Sequence, residues 1–222
     1  MSVAGCGSGA CAAIEAQFGA RRAQRDLVAY RTKGPGRTTR LLRDAVVASG
    51  GPGETLLDVG AGIGPLTFEL LERGARRAVS VEASAAAIAA GRDEAERRSR
   101  ATDVEWRHGD FVSLAGSVGE ASTVLLDRVV CCYPGYVPLL EAAAVCARQR
   151  IGLSYPRDVW YVRLALWLEN GLRALRGQAF RTFVHPPAEI ERLIRAHGFM
   201  PAIRRTTAAW CVDVYTRPRT SG

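Results

Sequence analysis

The chain has 222 residues, 48% of them hydrophobic and 23% charged, which suits one globular domain with small additions and excludes a disordered or low-complexity chain. Its formal net charge is +8, carried almost wholly by arginine, with Lys33 the only lysine. Arginine grips carboxylates and phosphates with a planar fork, so an anionic small molecule is the partner this charge favours. No dense basic run with interleaved aromatics points to nucleic acid.

The first ten residues are small and glycine-rich and are expected to be flexible. Apolar spacing predicts a helix over 11–31, broken by Gly34-Pro35-Gly36, and a second over 37–49, ended by Gly50-Gly51-Pro52-Gly53. Strand and helix then alternate. Strands are predicted at Thr55–Val59, Ala78–Glu82, Val104–Arg107, Thr123–Val130 and Ile151–Ser154. Helices are predicted at Pro65–Arg73, from a Ser84 cap to Arg98, and near Val137–Ala147. This order implies a doubly wound, mostly parallel sheet. After Tyr155-Pro156 it breaks. Residues 158–176 form an amphipathic helix with Trp160, Leu164, Trp167, Leu168, Leu172 and Leu175 on one side. A linker with Phe180, Phe183 and His185 follows, then a helix over 188–197 and two closing strands near 200–206 and 208–216.

The six cysteines, Cys6, Cys11, Cys131, Cys132, Cys146 and Cys211, form no CxxC pair and no zinc pattern. No metal site is therefore expected. The chain has no run of about 18 apolar residues and no recognisable leader, so a reducing cytoplasm and free thiols are the expectation.

Chemistry concentrates where the first strand turns into its helix. Asp58-Val59-Gly60-Ala61-Gly62-Ile63-Gly64 is a glycine loop that lets backbone approach a ligand at a helix N-terminus. A nicotinamide fingerprint needs its third glycine where Pro65 stands, and a P-loop needs Gly-Lys-Ser/Thr. Neither fits.

The loop resembles the first motif of class I S-adenosylmethionine (SAM)-dependent methyltransferases. The resemblance covers roughly residues 55–155. It implies a Rossmann-like, doubly wound sheet of seven mostly parallel strands with SAM as cofactor. It also implies a helical N-terminal extension (1–50) before a methyltransferase domain (51–222), with a lid inserted at 157–187 between the fifth and sixth strands. By the same resemblance Glu82, followed by Ala83, meets the ribose hydroxyls. Asp110 meets the adenine amine, and Phe111 packs on its ring. Asp127 lies on the strand that runs towards the acceptor. Asp58 either orients the loop or touches the cofactor beside Gly60, Ala61, Gly62 and Gly64. Tyr30 and Lys33 precede the core, where many members fold over the methionine end of SAM.

A more diffuse resemblance is to magnesium-protoporphyrin O-methyltransferases. It rests on Leu126-Asp127-Arg128-Val129-Val130-Cys131-Cys132-Tyr133-Pro134, on Ser154-Tyr155-Pro156, and on Phe183-Val184-His185. Those enzymes carry His before the Tyr-Pro pair, where this chain has Cys132. Thiol and imidazole differ by about two units in ordinary pKa, so the porphyrin acceptor is not carried over. Acceptor-side candidates are Tyr30, Cys131, Cys132, Tyr133, Trp160 and His185, with Cys132, Tyr30 and His185 as the catalytic set. An extended backbone around 131–132 would point the two thiols opposite ways.

The leading expectation is methylation of a small molecule at oxygen, by a monomer or homodimer. The alternatives are a thiol or metalloid methyltransferase using active-site cysteines, and a non-catalytic SAM-binding or partner-binding module that docks through the helix at 158–176.

Overall fold

The structure is a computed structural model that describes residue 15 and residues 17–218. The expected flexible start and Cys6 and Cys11 lie outside the described residues.

Seven strands form one sheet in the order β3-β2-β1-β4-β5-β7-β6. They are β1 (Thr55–Val59), β2 (Arg77–Glu82), β3 (Val104–His108), β4 (Ala121–Asp127), β5 (Ala147–Pro156), β6 (Met200–Thr206) and β7 (Trp210–Thr216). The first five run parallel, and β7 inserts antiparallel between β5 and β6. Central strands are covered on both faces, which is why Leu56–Val59 and Ala121–Leu126 are buried without alternation, the polar Asp58, Ser122 and Thr123 included. Strand order reverses between β1 and β4. Open α/β sheets bind ligands in the crevice at that switch point, outside the carboxyl ends of the strands.

The helices are α1 (Ala20–Lys33), α2 (Arg37–Ala48), α3 (Pro65–Leu71), α4 (Ala85–Arg97), α5 (Phe111–Val118), α6 (Tyr136–Cys146), α7 (Trp160–Leu175) and α8 (Pro187–Ala196). One core unites α1 to α4 with one side of the sheet, and a second unites α6, α8 and the strands from the other side. Helix α1 follows the extended Gly19; of the helix predicted over 11–31, residues 11–14 and 16 lie outside the described residues, and Glu15 and Gln17 are helical. Helix α5 was not anticipated. Its sequence mixes Val, Ser and Gly, residues of weak helix propensity, and it is held by packing Phe111 into the second core.

Helix α1 is tied to α4 through charge. Glu94 is fully buried and accepts from Arg31, Arg97 and Arg98 at 2.6–2.8 Å. Hydrogen bonds from Arg97 first, then from Arg31 and Arg98, hold its carboxyl down to about 2. Three guanidinium donors offset the cost of burying that charge.

The break after β4 also differs from expectation. The predicted strand reached Val130, but β4 stops at Asp127 and Val130–Cys132 is one turn of 3₁₀ helix. Arg128, between them, has φ +62°, a left-handed backbone that a non-glycine residue adopts at a cost.

Candidate active site

The loop after β1 is built by hydrogen bonds to the end of β2. Gly60 N and Ala61 N donate to Val81 O at 2.8 and 3.2 Å, and Gly62 N donates to the Glu82 Oε2 at 2.8 Å. Gly60, Gly62 and Gly64 all have positive φ, at +64°, +58° and +83°. At Gly60 the need for glycine is also steric, since a Cβ there would sit 2.5 Å from Val129 Cγ2. At Gly62 a Cβ would meet no atom within 4 Å, so that side of the loop faces open space.

Glu82 is buried at the end of β2. Its Oε1 accepts from Ser84 N at 2.8 Å, while Oε2 holds the loop. Burial raises its pKa, and the Ser84, Gly62 and Ala83 amides lower it, with burial winning. Each carboxylate oxygen accepts more than one hydrogen bond, so both keep capacity for a vicinal diol. His108 Nε2 sits 2.9 Å from Ala83 O and fastens the neighbouring backbone.

Asp58 lies beneath the loop, buried, and accepts from Thr67 Oγ1 of α3 at 2.7 Å. Burial first, then the charges of Asp127 and Glu82, push its carboxyl up to about 7 despite that hydrogen bond. It orients the start of α3. Asp127 is likewise engaged, by Thr39 Oγ1 at 2.6 Å and Ser154 Oγ at 2.5 Å. Thr39 and Ser154 are site residues that sequence reading missed, because no local pattern marks a partner 88 or 27 positions away.

Asp110 supplies the test of whether a cofactor belongs here. Its Oδ2 accepts from Ser113 Oγ at 3.0 Å, but Oδ1 is buried with no hydrogen-bond partner. A buried acceptor without a donor is costly, and native proteins keep one where a ligand completes it. The adenine amine is a donor of the right kind, and the buried Phe111 follows. We therefore expect Asp110→Ala to weaken SAM binding about tenfold by calorimetry while leaving the melting temperature unchanged or slightly raised.

A doubly wound sheet with this loop at its switch point, an acid after β2 and an acid after β3 defines a class I methyltransferase fold. Residues 56–148 match the family described as "Methyltransferase domain". Magnesium protoporphyrin IX methyltransferase (ChlM) from Synechocystis PCC 6803, solved with S-adenosylhomocysteine, superposes with a TM-score of 0.72 at 20% identity, covering 92% of this chain and 98% of that one. An O-methyltransferase family protein from Burkholderia thailandensis superposes with a TM-score of 0.66 at 15% identity over 91% of this chain and 62% of that one. The [4+2]-cyclase SpnF shares the fold too, with a TM-score of 0.61 at 13% identity over 82% and 80% of the two chains. No curated protein sequence matches the chain. Residues 56–148 thus match a methyltransferase domain, and the chain shares the fold of structures solved with SAM or S-adenosylhomocysteine bound.

On the acceptor side the expected catalytic set does not assemble. Tyr30 belongs to the first core: its ring stacks on Phe68, Arg98 lies 4.9 Å over it, and its hydroxyl reaches Glu69 at 3.4 Å. Cys131, Cys132 and His185 lie with the second core's elements. Tyr30 therefore packs as a core residue. Lys33 is exposed in the last turn of α1.

His185 is held by backbone carbonyls. Its Nε2 lies 3.1 Å from Val130 O and 2.9 Å from Tyr133 O. Both partners are carbonyls, so this nitrogen carries the proton. The ring is buried between Tyr136 and Phe183, and burial pushes its pKa down. Together with Phe183 N donating to Cys131 O at 2.8 Å, it pins the linker after α7 onto the turn after β4. These contacts make it a fastener of that linker. His185→Ala should cost about 1–3 kcal/mol of stability, and His185→Gln, which keeps an N–H donor, should restore part of it in thermal melts. The sign with pH follows from the lowered pKa. The unfolded chain binds the proton more readily, so stability is complete above about 6.5 and declines as pH falls below it.

Trp160 is exposed at the start of α7, edge-on to Tyr161, and does not line the site. Cys131 and Cys132 do not diverge. The 3₁₀ turn brings their sulfurs to 3.9 Å, both directed at Arg128 O at 3.4 and 3.5 Å. The Cys131 thiol first, then Arg128 and Arg173, pull the Cys132 thiol below its ordinary pKa despite burial. Glu82 acts on the same thiol in the opposite sense, so Cys132 stands between the cofactor side and α7. Phe18 bridges the same two sides. Its carbonyl accepts from Ser84 Oγ at 2.7 Å and its ring meets Phe180 edge-on at 5.6 Å, with Arg173 over Phe180.

Proposed function

We propose that this chain O-methylates a small anionic acceptor, and that the accepting group is a carboxylate. The observation that carries the reading is that two of the three catalytic candidates are engaged elsewhere, Tyr30 in a core and His185 on two carbonyls, while Arg128 and Arg173 surround the third, Cys132, with positive charge. A carboxylate is already deprotonated near neutral pH and requires no base. Arg128 and Arg173 supply positive charge around Cys132, which suits an anion. Structural similarity to a magnesium protoporphyrin IX methyltransferase supports a small-molecule acceptor, while Cys132 in place of the resembling enzymes' His argues for a different one.

When bound, SAM supplies a methyl group on a sulfonium, whose passage to a carboxylate oxygen leaves S-adenosylhomocysteine and a methyl ester. The protein's work is orientation. Glu82 would hold the ribose, Asp110 the adenine amine, and the Gly60–Gly64 backbone would approach the rest. Arg128 and Arg173 would hold the acceptor beside Cys132. In this reading residues 1–50 are an extension, 51–222 the catalytic domain and 157–187 a lid over the acceptor, acting in the cytoplasm as a monomer or homodimer.

The test is S-adenosylhomocysteine release with matched panels of carboxylic acids, phenols, alcohols and thiols. Turnover of carboxylic acids with a flat profile above about pH 6 is expected, because no enzyme base has to titrate. Turnover of phenols alone, on a rising basic limb, would overturn it. The depressed Cys132 thiol favours one second reading, a thiol or metalloid acceptor. It predicts that Cys132→Ser is inactive, whereas the carboxylate reading predicts it stays active.

A further inference from the structure

Helix α7 is turned the opposite way from a packed amphipathic helix. Only Val162 is buried, and Leu166, Asn170 and Arg173 are half-buried on the same inner face. Asn170 and Arg173 bond Thr182 of the following linker at 2.7–3.0 Å, which fixes that face inward. The large apolar side chains point out. Trp160 is 75% exposed, Trp167 70% and Leu175 87%, with Tyr161, Leu164, Leu168 and Leu172 exposed beside them. From Trp160 these fall at i+4, i+7, i+8, i+12 and i+15, one continuous stripe at 3.6 residues per turn. Monomeric proteins rarely leave such a contiguous apolar patch open without a use for it.

Charge selects the occupant. At about 100° per residue, Arg163 and Arg176 fall on the two borders of the stripe. Residues 157–181 hold five arginines, Arg157, Arg163, Arg173, Arg176 and Arg181, against Asp158 and Glu169, on a chain of net charge +8. A second copy would place arginine borders against arginine borders. The chain's first 14 residues offer only Met1, Val3 and Ile14 as large aliphatic side chains, too few to cover a 16-residue helix. An anionic surface neutralises the borders while its apolar layer takes the stripe. Tryptophan and leucine on one face with arginines at its edges is the composition of a helix that lies in a bilayer interface.

We propose that α7 docks this protein on anionic lipid bilayers, lying in the plane of the headgroups with Trp160, Leu164, Trp167, Leu168 and Leu175 inserted and Arg163 and Arg176 at the phosphates. Among the described residues no helix is long and apolar enough to cross a membrane, so the contact is peripheral. The inference does not depend on which acceptor is methylated.

The experiment uses the full chain with sucrose-loaded vesicles of phosphatidylcholine alone or mixed equally with phosphatidylglycerol. Co-sedimentation with the mixed vesicles is expected, with a blue shift of tryptophan emission and quenching by brominated acyl chains. Binding should fall when salt is raised to about 0.5 M. Trp160→Ser with Trp167→Ser should weaken binding at least about tenfold while SAM affinity is unchanged, since both side chains are exposed. Arg176→Gln, which leaves the stripe intact, should weaken it roughly fivefold. Wild-type protein that ignores both vesicles, or tryptophan variants that bind equally, overturns the proposal. So does a dimer in sedimentation equilibrium that the tryptophan changes dissociate, with no vesicle binding, which would assign the stripe to a second copy.

Discussion

Glu82→Gln is expected to raise the dissociation constant for SAM on the order of a hundredfold, although it changes one atom. The carboxylate accepts on both sides at once, from Gly62 N and from Ser84 N. An amide has one acceptor oxygen, so its NH₂ must face one of those N–H donors, and the pair repels. The same replacement removes an acceptor from the ribose diol, where charge-assisted hydrogen bonds contribute about 1.5–3 kcal/mol each. Glu82→Ala should lose similar affinity and more stability, because Gly62 N and Ser84 N are then left without a partner. Calorimetry with SAM and thermal melts separate the two effects. A change in affinity of less than about threefold for Glu82→Gln would remove Glu82 from the cofactor site. Wild-type affinity should also depend on pH with a defined sign. Burial raises the Glu82 pKa, and binding needs the carboxylate, so affinity falls as that group takes up a proton. It is then lost on acidification earlier than an ordinary glutamate would dictate.

The parts of this site that could be read in the sequence are those set by nearest neighbours along the chain. Gly60, Gly62 and Gly64 announce a backbone that leaves the usual φ range, and the structure gives all three positive φ. Glu82 ends β2 and Asp110 comes two residues after β3, so their place at the carboxyl edge of the sheet could be counted from the strands themselves. What could not be read depends on which face of which element a side chain joins. Tyr30 has the same helical surroundings whether it closes over a cofactor or stacks on Phe68, and only the docking of α1 on α4 decides. His185 precedes two prolines in either role, and its carbonyl partners lie 52 and 55 positions away. The stripe on α7 is periodic whether it faces in or out. Its inner face is chosen by Asn170 and Arg173 meeting Thr182, a contact between two segments with no shared pattern. The two thiols were misplaced for a local reason instead. A strand reaching Val130 would alternate side chains with a period of two, whereas β4 ends at Asp127 and Val130–Cys132 form a 3₁₀ turn.

Gly60→Ala and Gly62→Ala should fail in different ways, although both glycines are left-handed and two positions apart. A methyl group at Gly60 meets Val129 Cγ2 at 2.5 Å and Cγ1 at 3.3 Å, and Val129 is itself packed in the second core. The left-handed backbone costs an alanine about 1–2 kcal/mol and the overpacking about 1–3 kcal/mol more. A loss of roughly 2–5 kcal/mol corresponds to a fall of about 4–20 °C in melting temperature for a chain of this size. At Gly62 the same methyl meets nothing within 4 Å, so only the backbone strain applies and the melting temperature falls by a few degrees. The space it enters is the open side of the loop, next to the amide that Glu82 holds, where SAM must come close. Gly62→Ala should therefore lose SAM affinity out of proportion to its stability. A double-mutant cycle tests the cause at Gly60. Val129→Ala removes the two methyl groups in the way, so Gly60→Ala should cost about 1–2 kcal/mol less in that background than alone. Strict additivity would mean that the clash with Val129 is not what makes glycine necessary there, leaving backbone strain to explain the whole loss.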